Sequence, residues 1–430
     1  METSYLTWSA PSPVGLAKSQ KHAYTRSLNS SEFEVLAFDS MRLGFHYHVP
    51  GILMDGIIHM PAYQGRFVES LADFCSEVVC FLHSPLMSEQ TQMDYIVKKR
   101  NVRLIDLGPH ASVPRRLTSM RKCVRKFRSQ MASLDALLLR GPSPLLPALA
   151  NAARSVPTAL LLVGDALALV NDSRQPFWRR EAIRLLWRLN QRRQWQVAKR
   201  SLTIVNSHKL FQAMQSKLPT LVETRTTTLT RADFFDREDT CIRAPYRLLY
   251  TGRMTRGKGL LEMVEAMAIL VGEGNDVVLD LVGWPERGDN VLKEMEQVTR
   301  RLQVTERIKF HGPKPVGSEL FAYYREADIY VIASKTSEGF PRTIWEAMAH
   351  SLPVVATRVG SIPEFVQDAA LIVEPNSTRE LANALRDIMN NSAKRRSMIM
   401  RGRELAATVT LEQQTEVMMQ RLKSWARIPQ

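Results

Sequence analysis

At 430 residues the chain is too long for one ordinary hydrophobic core, and 45% hydrophobic residues suffice for two domains of about 200 residues each. The net charge of +15 resides mainly in residues 1–240, with 32 Lys and Arg against 20 Asp and Glu, while residues 241–430 hold 26 against 23. Four scattered cysteines, Cys75, Cys80, Cys123 and Cys241, lack the paired spacing of a zinc ribbon and argue against a disulfide scaffold; buried thiols in a reducing compartment are expected.

Residues 1–13 carry no basic stretch followed by an apolar one, so no secretory signal is expected and the cytoplasm is the expected location. Strand-like runs rich in Val, Ile, Leu and Phe are predicted at 5–9, 34–38, 78–82, 102–107, 136–139, 158–162 and 202–205, alternating with helical patterns. Such alternation predicts an α/β protein with parallel sheets covered by helices on both faces. His83 ends one of these strands at the edge where ligands bind in open sheets, although a lone histidine is more often structural. The apolar run 159–170 is interrupted by Gly164 and Asp165 and falls short of the ~20 residues a membrane span needs.

Two segments account for much of the positive charge. Residues 113–128 place Val113, Leu117, Met120, Val124 and Phe127 at helical spacing, with seven Lys or Arg between 114 and 128 and no acid. Residues 177–200 set Arg180, Arg184, Arg188 and Arg192 at four-residue steps among Trp178, Trp187 and Trp195. Both patterns suit a helix lying on an anionic membrane surface; both equally suit helices whose apolar stripes face the sheet. No nucleic-acid-binding motif accompanies the charge, so nucleic acid is not an expected partner.

Residues 233–245 have no clear period and end in Pro245, which places a domain boundary there. A second series of strands follows at 246–250, 277–282, 308–310, 329–332, 354–356 and 371–373, and a final helix at 411–425 marks Val417, Met418, Leu422 and Trp425 as its buried face. The first strand of this series runs into Thr251-Gly252-Arg253-Met254-Thr255-Arg256-Gly257-Lys258-Gly259, a strand-to-helix turn. Its glycines allow close approach, and its cations suit a diphosphate. Further on, Ser337-Glu338-Gly339-Phe340-Pro341 breaks regular structure just before a helical pattern containing Glu346. Carboxylates accept hydrogen bonds from sugar hydroxyls and helix N-termini stabilise anions, so a ligand carrying both sugar and phosphate fits.

Taken together, Gly252-Arg253-x4-Lys258-Gly259, Glu338-Gly339-Phe340-Pro341-x4-Glu346, Pro353-Val354-Val355-Ala356-Thr357 and Gly360-x3-Glu364 resemble the retaining glycosyltransferases of family four, the group 1 glycosyltransferases. The resemblance is specific over residues 247–375 and weaker over 1–235. It implies a GT-B fold, in which two Rossmann-like domains set their parallel sheets across a cleft. Residues 1–240 would form the acceptor side and 241–410 the nucleotide-sugar side, with 411–430 packing back on the first domain.

The same resemblance implies that Arg253 and Lys258 grip the donor diphosphate. Glu338, with the amides of Gly339 and Phe340, would contact the transferred sugar, Glu346 the ribose hydroxyls, and the loop at Gly312 and Pro313 the nucleobase. Gly15 matches the place of the family's glycine-rich loop. The family's mid-domain histidine is absent; Asp165 stands nearby, to orient a sugar or acceptor hydroxyl or to cap a helix. Ser351 replaces the usual glycine before Leu352-Pro353-Val354-Val355.

The resulting expectation is a retaining, metal-independent hexosyltransferase. It would use a nucleoside diphosphate sugar as co-substrate and no other cofactor, and act on a glycan or lipid-linked acceptor in surface polysaccharide or lipopolysaccharide assembly. A soluble acceptor and a non-catalytic nucleotide-binding scaffold are the alternatives.

Overall fold

The structure, a computed structural model, describes residues 41–163, 177–206, 208–286, 288–336, 338 and 340–427. The predicted strands at 5–9 and 34–38, and the candidate residues Gly15, Asp165 and Gly339, lie outside the described residues.

The first layer runs β1 (Arg42–Pro50), β2 (Ile52–Met54), β3 (Ile57–Met60), α1 (Ala62–Ala72), β4 (Glu77–Ser84), β5 (Tyr95–Ile96), β6 (Val102–Pro109), α2 (Val113–Thr118), α3 (Met120–Arg128), β7 (Ala136–Gly141), α4 (Leu146–Ala152), β8 (Thr158–Leu162), α5 (Phe177–Ala198), β9 (Leu202–Val205), α6 (His208–Met214) and β10 (Leu221–Glu223). Seven of these strands form a parallel sheet in the order β10-β9-β8-β7-β1-β4-β6. Its two faces are buried in separate apolar clusters, which is why β4 and β7 read as unbroken hydrophobic runs.

The central strand β1 was not among the predicted strands, because Gly44, His46 and His48 interrupt the apolar pattern. Gly44 is needed there, since a Cβ would lie 2.3 Å from Leu137 Cδ2. Residues β2 and β3 form a hairpin turned by Asp55 and Gly56, both at positive φ, with β5 completing a small antiparallel sheet.

The basic segment at 113–128 is two helices rather than one. Cys123 and Phe127 face inward, with Phe127 edge-on to Phe81 at 4.6 Å, so this part of the stripe belongs to the core. Arg116 also turns inward and is buried.

The second layer runs β11 (Tyr246–Thr251), α7 (Leu260–Gly272), β12 (Val277–Val282), α8 (Val291–Arg301), β13 (Ile308–Phe310), α9 (Ser318–Glu326), β14 (Ile329–Ile332), α10 (Arg342–Ala349), β15 (Val354–Thr357), α11 (Ile362–Val366), β16 (Ala370–Val373), α12 (Thr378–Asn390) and α13 (Ser392–Ala407). All six strands are parallel, in the order β13-β12-β11-β14-β15-β16. Each coincides with a predicted strand to within a residue at either end.

The connection between layers starts earlier than the aperiodic stretch at 233–245: the chain leaves the first sheet after β10, and Leu229 already belongs to a cluster of the second layer. Asp233 is clasped by Arg66 of α1 at 2.5 and 3.1 Å, and Asp239 by Arg395 at 2.7 and 3.0 Å. The last helix, α14 (Leu411–Ala426), is capped by Thr410 and returns to the first core, where Leu411, Met418, Met419 and Leu422 are buried. Val417, predicted on its inner face, is 40% exposed, and Met419 takes the inward position instead. All four cysteines are buried and unpaired. No described helix is long and apolar enough to cross a membrane.

Candidate active site

The C-terminal ends of β11, β12 and β14 carry the loops that build a cavity of about 330 Å³. Two backbone approaches fix its floor. Gly259, at φ 69°, begins α7 so close to β14 that a Cβ would sit 1.9 Å from the Ala333 carbonyl oxygen. Gly283, at φ 146°, passes Gly252 at a distance that leaves 1.8 Å between a Cβ and the Gly252 oxygen. No side chain fits at either position. Hydrogen bonds then lash the loops together: Gly252 N–H donates to the Val282 carbonyl at 2.9 Å, Met254 N–H to Trp284 at 2.8 Å and Gly283 N–H to Gly312 at 2.9 Å.

Arg253, Lys258, Glu338 and Glu346 all line this cavity. Lys258 Nζ donates to Glu338 Oε1, which also accepts from Ser334 Oγ at 2.6 Å. Arg253 lies more openly and pairs with Glu286 at 3.2 Å. Glu346, on α10, is buried; its two oxygens accept from Tyr324 Oη at 2.9 Å and Thr228 Oγ1 at 3.2 Å. Thr251 Oγ1 and Tyr324 Oη lie 2.6 Å apart, extending this network to the end of β11. Burial pushes the Tyr250 and Tyr324 phenols well above their ordinary range, with Glu346 adding to the effect at Tyr324, so both stay protonated donors.

Three candidates sit differently. Phe340 stacks on Trp345 at 5.3 Å and is not among the cavity's lining residues. Gly312 and Pro313 are likewise not among them, though Lys314 and Val316 of the same loop are. Sequence reasoning passed over Trp284, Lys314 and Arg342, which also line the cavity. Trp284 could have been found as a half-exposed aromatic just past a strand end; Tyr324 and Thr228 could not, since their tie to Glu346 spans 22 and 118 residues.

Ser351, where family members carry glycine, adopts φ 55° at the end of α10. Its hydroxyl donates to the Phe235 carbonyl at 2.7 Å, which compensates for the left-handed backbone and ties the helix end to the connection.

Residues 235–405 match the family described as glycosyl transferases, group 1. This part of the chain is a group 1 glycosyltransferase domain. Among curated relatives of the group 1 domain, D-inositol 3-phosphate glycosyltransferase of Corynebacterium glutamicum is 32% identical over 150 residues, 34% of this chain and 35% of the relative. The amylovoran biosynthesis glycosyltransferase AmsK of Erwinia amylovora is 33% identical over 128 residues, 29% of this chain and 30% of the relative. The matches thus span about a third of these relatives' length.

Solved structures extend the likeness beyond the group 1 domain. Sucrose-phosphate synthase from Thermosynechococcus elongatus superposes with a TM-score of 0.67 at 20% identity, over 90% of this chain and 100% of that one. HepE from Anabaena in complex with UDP-glucose does so with 0.64 at 17%, over 89% and 100%. The fold is GT-B, with two Rossmann-like domains.

At the opposite edge, His83 ends β4 buried, with Nδ1 3.1 Å from the Gly108 carbonyl oxygen. Burial is the main reason its pKa falls to about 4, helped by the Arg116 charge, so it is neutral at pH 7.

Proposed function

We propose that the protein is a retaining glycosyltransferase that moves a sugar from a nucleoside diphosphate donor to an acceptor hydroxyl in the cleft between the two layers. The observation that carries this reading is the convergence of Arg253, Lys258, Glu338 and Glu346 on one cavity at the C-terminal edge of the second sheet. Ligands of open α/β sheets bind at that edge, at strand ends followed by helix starts.

Breaking the sugar C–O bond leaves negative charge on the departing diphosphate. Arg253 and Lys258 are fixed cations for that charge, and stabilise it more in the transition state than in the ground state. Lys258 is already held by Glu338, so its position is set before the donor arrives. Glu338 then presents carboxylate oxygen to the sugar hydroxyls beside the diphosphate. Glu346, oriented by Tyr324 and Thr228, accepts from the ribose hydroxyls. In this scheme the cations do the work a divalent ion would do, and transfer is metal-independent.

The acceptor side of the proposal is a membrane-linked glycan, with the protein peripheral at the inner membrane face. Its support is α5, where Leu185, Leu186 and Leu189 are exposed beside the exposed Arg188, Arg192 and Arg193. Apolar and basic side chains on one surface suit an anionic headgroup region, each basic residue contributing about 1 kcal/mol there.

A thermal-shift and hydrolysis screen against nucleoside diphosphates and their sugar conjugates tests the donor half, with Arg253→Ala as control. A shift that needs Arg253, together with slow hydrolysis of one conjugate, is expected; no shift from a folded sample points to a non-catalytic scaffold. Flotation with vesicles containing anionic lipid tests the other half, and a protein that stays in solution has a soluble acceptor.

A further inference from the structure

The C-terminal edge of the first sheet gathers basic and aromatic side chains that the donor chemistry does not use. His46, Tyr47 and His48 come from β1, His83 from the end of β4, His110 from just beyond β6, Arg116 from α2 and Arg140 from β7. The rings of His46 and His83 are 6.5 Å apart, those of His83 and His110 6.0 Å, and those of His48 and His110 6.5 Å. The Arg140 guanidinium lies over Tyr47 at 4.6 Å and over Phe67 at 5.3 Å, which fixes its plane. The charge of Arg116 is felt by His46, His48 and His83, and that of Arg140 by His48.

His46 is satisfied, its ring nitrogens 2.8 Å from the Phe81 carbonyl oxygen and 3.3 Å from Ser143 Oγ, but other polar atoms of the set are buried without partners. Arg116 and Arg140 are each 8% exposed and His83 1%. Nε and Nη1 of Arg116, Nε of Arg140, Nδ1 of His48, and Nε2 of His83 and of His110 have no hydrogen-bond partner. Buried polar atoms of native proteins are rarely left this way, and a cluster of them marks a binding site more readily than a structural one. No carboxylate pairs with either guanidinium among the described residues; the acid felt by Arg116, Glu89, is engaged by His110 Nδ1 at 2.7 Å. Nor do the histidines converge as metal ligands, since no described group of three His, Cys, Asp or Glu could hold an ion. A set of donors with two guanidinium charges, whose one neighbouring acid, Glu89, is taken by His110 Nδ1, fits an anion.

Position says which anion. The charge of Arg342, which lines the donor cavity, is felt by both Arg140 and Tyr63, so the cluster adjoins that cavity across the cleft. We propose that Arg116, Arg140, His48, His83 and His110 form a binding site for an anionic group, phosphate or carboxylate, carried by the acceptor. The inference rests on the donor reading only for the word acceptor; the anion site stands on its own geometry. Arginine supplies the charge and the forked donors. His48 and His83, kept neutral at pH 7 by burial with the Arg116 charge assisting, supply ring N–H donors by choice of tautomer without adding charge that would have to be buried, and His110 offers its unpartnered Nε2. An acceptor held by this group presents its hydroxyl towards the second layer.

The test uses the full-length protein carrying Arg253→Ala and Lys258→Ala, which removes anion binding at the donor loop. Inorganic phosphate and, separately, acetate are titrated at constant ionic strength while the melting temperature is read. A saturable rise is expected with at least one anion, and its apparent affinity should fall at least tenfold when Arg116→Gln or Arg140→Gln is added. The stronger responder distinguishes a phosphorylated from a carboxylated acceptor. Histidine-ring ¹⁵N spectra of the same parent protein keep the test valid should the Gln variants not fold: the signals of His48, His83 and His110 must move with the anion while that of His208 does not. No saturable response to either anion, an unchanged response in folded Gln variants, or unmoved signals from those histidines overturns the site. Nucleoside diphosphate binding by the wild type is measured alongside. If nucleotide binds and the anions do not, this inference fails and the donor reading survives; if the anions bind and no nucleotide does, the reverse holds.

Discussion

The two sheet edges solve the same electrostatic problem in opposite ways. At the second edge the four motif residues have partners: Lys258 with Glu338, Arg253 with Glu286, Glu346 with two hydroxyls. At the first edge the buried Arg116 and Arg140 guanidinium groups have no carboxylate paired with them among the described residues, and Glu89 is taken by His110. The lesson concerns preorganisation. Paired charges hold a catalytic arrangement still before a ligand comes, whereas unpaired ones keep their full interaction free energy for the ligand itself.

Breaking a pair at the second edge should give the largest effect. Lys258→Ala and Glu338→Gln are each expected to lower turnover by roughly 10²- to 10³-fold with folding retained, the scale of losing one preorganised electrostatic contact. Steady-state transfer or donor hydrolysis measures this, and near-wild-type turnover in both variants would remove these residues from the chemistry.

The first edge should reveal itself through pH. Burial, with the Arg116 charge assisting, lowers the pKa of His46 and His48 to about 3 and that of His83 to about 4. The unfolded chain, titrating near 6.5, takes up these protons first, so stability rises with pH between the folded and unfolded values and is lost on acidification. Each histidine contributes about 1.4 kcal/mol of loss between pH 7.5 and 5.5. Urea denaturation at the two pH values should show it, with a smaller difference in His83→Gln; equal stabilities would mean the rings are solvated.

A third effect lies between the layers' own supports. The Arg395–Asp239 pair is almost fully buried, so Arg395→Ala should cost about 3 kcal/mol by leaving the buried carboxylate only the exposed Arg396, 3.5 Å away, to offset its charge. Burial opposes charge on Asp239, but Arg395 and Arg396 outweigh it and hold the carboxyl below its usual range. That stabilisation is present above the unfolded pKa near 3.8 and disappears as pH falls through the folded value. Chemical denaturation of the variant at neutral pH checks the magnitude.

The smallest effect is at Ser351. Replacement by Ala keeps the left-handed strain and removes the hydrogen bond to Phe235, a loss of about 1 kcal/mol; replacement by Gly relieves the strain and should cost less. Melting curves of the two variants should therefore rank Gly above Ala.

What could be read from the chain follows the same divide. Strands of the second sheet are short, mostly apolar and separated by helices, so β12 and β14 could be placed residue by residue. The strand β1 could not, because a central position is occupied by glycine and histidines whose burial depends on Leu137 and on the carbonyl of Phe81, contacts 93 and 35 residues away. Asp55-Gly56 was legible as a hairpin turn and was passed over. Arg116 shows the limit of reading charge as surface: its spacing suits a solvated face, and only the break between α2 and α3 lets it turn inward. At the cavity of the second layer the acidic and basic residues are local motifs, while the hydroxyls that orient Glu346 arrive from distant elements.

The return of α14 to the first core has a consequence for how the chain is made. Leu411, Met418, Met419 and Leu422 fill that core, each worth about 1.5–3 kcal/mol of apolar burial, yet they are synthesised only after every element of the second layer. The layer synthesised first is therefore the last to be completed. Until then its sheet keeps an uncovered apolar face that a chaperone can hold, and a chain broken off before residue 411 carries that face permanently, marking itself for removal.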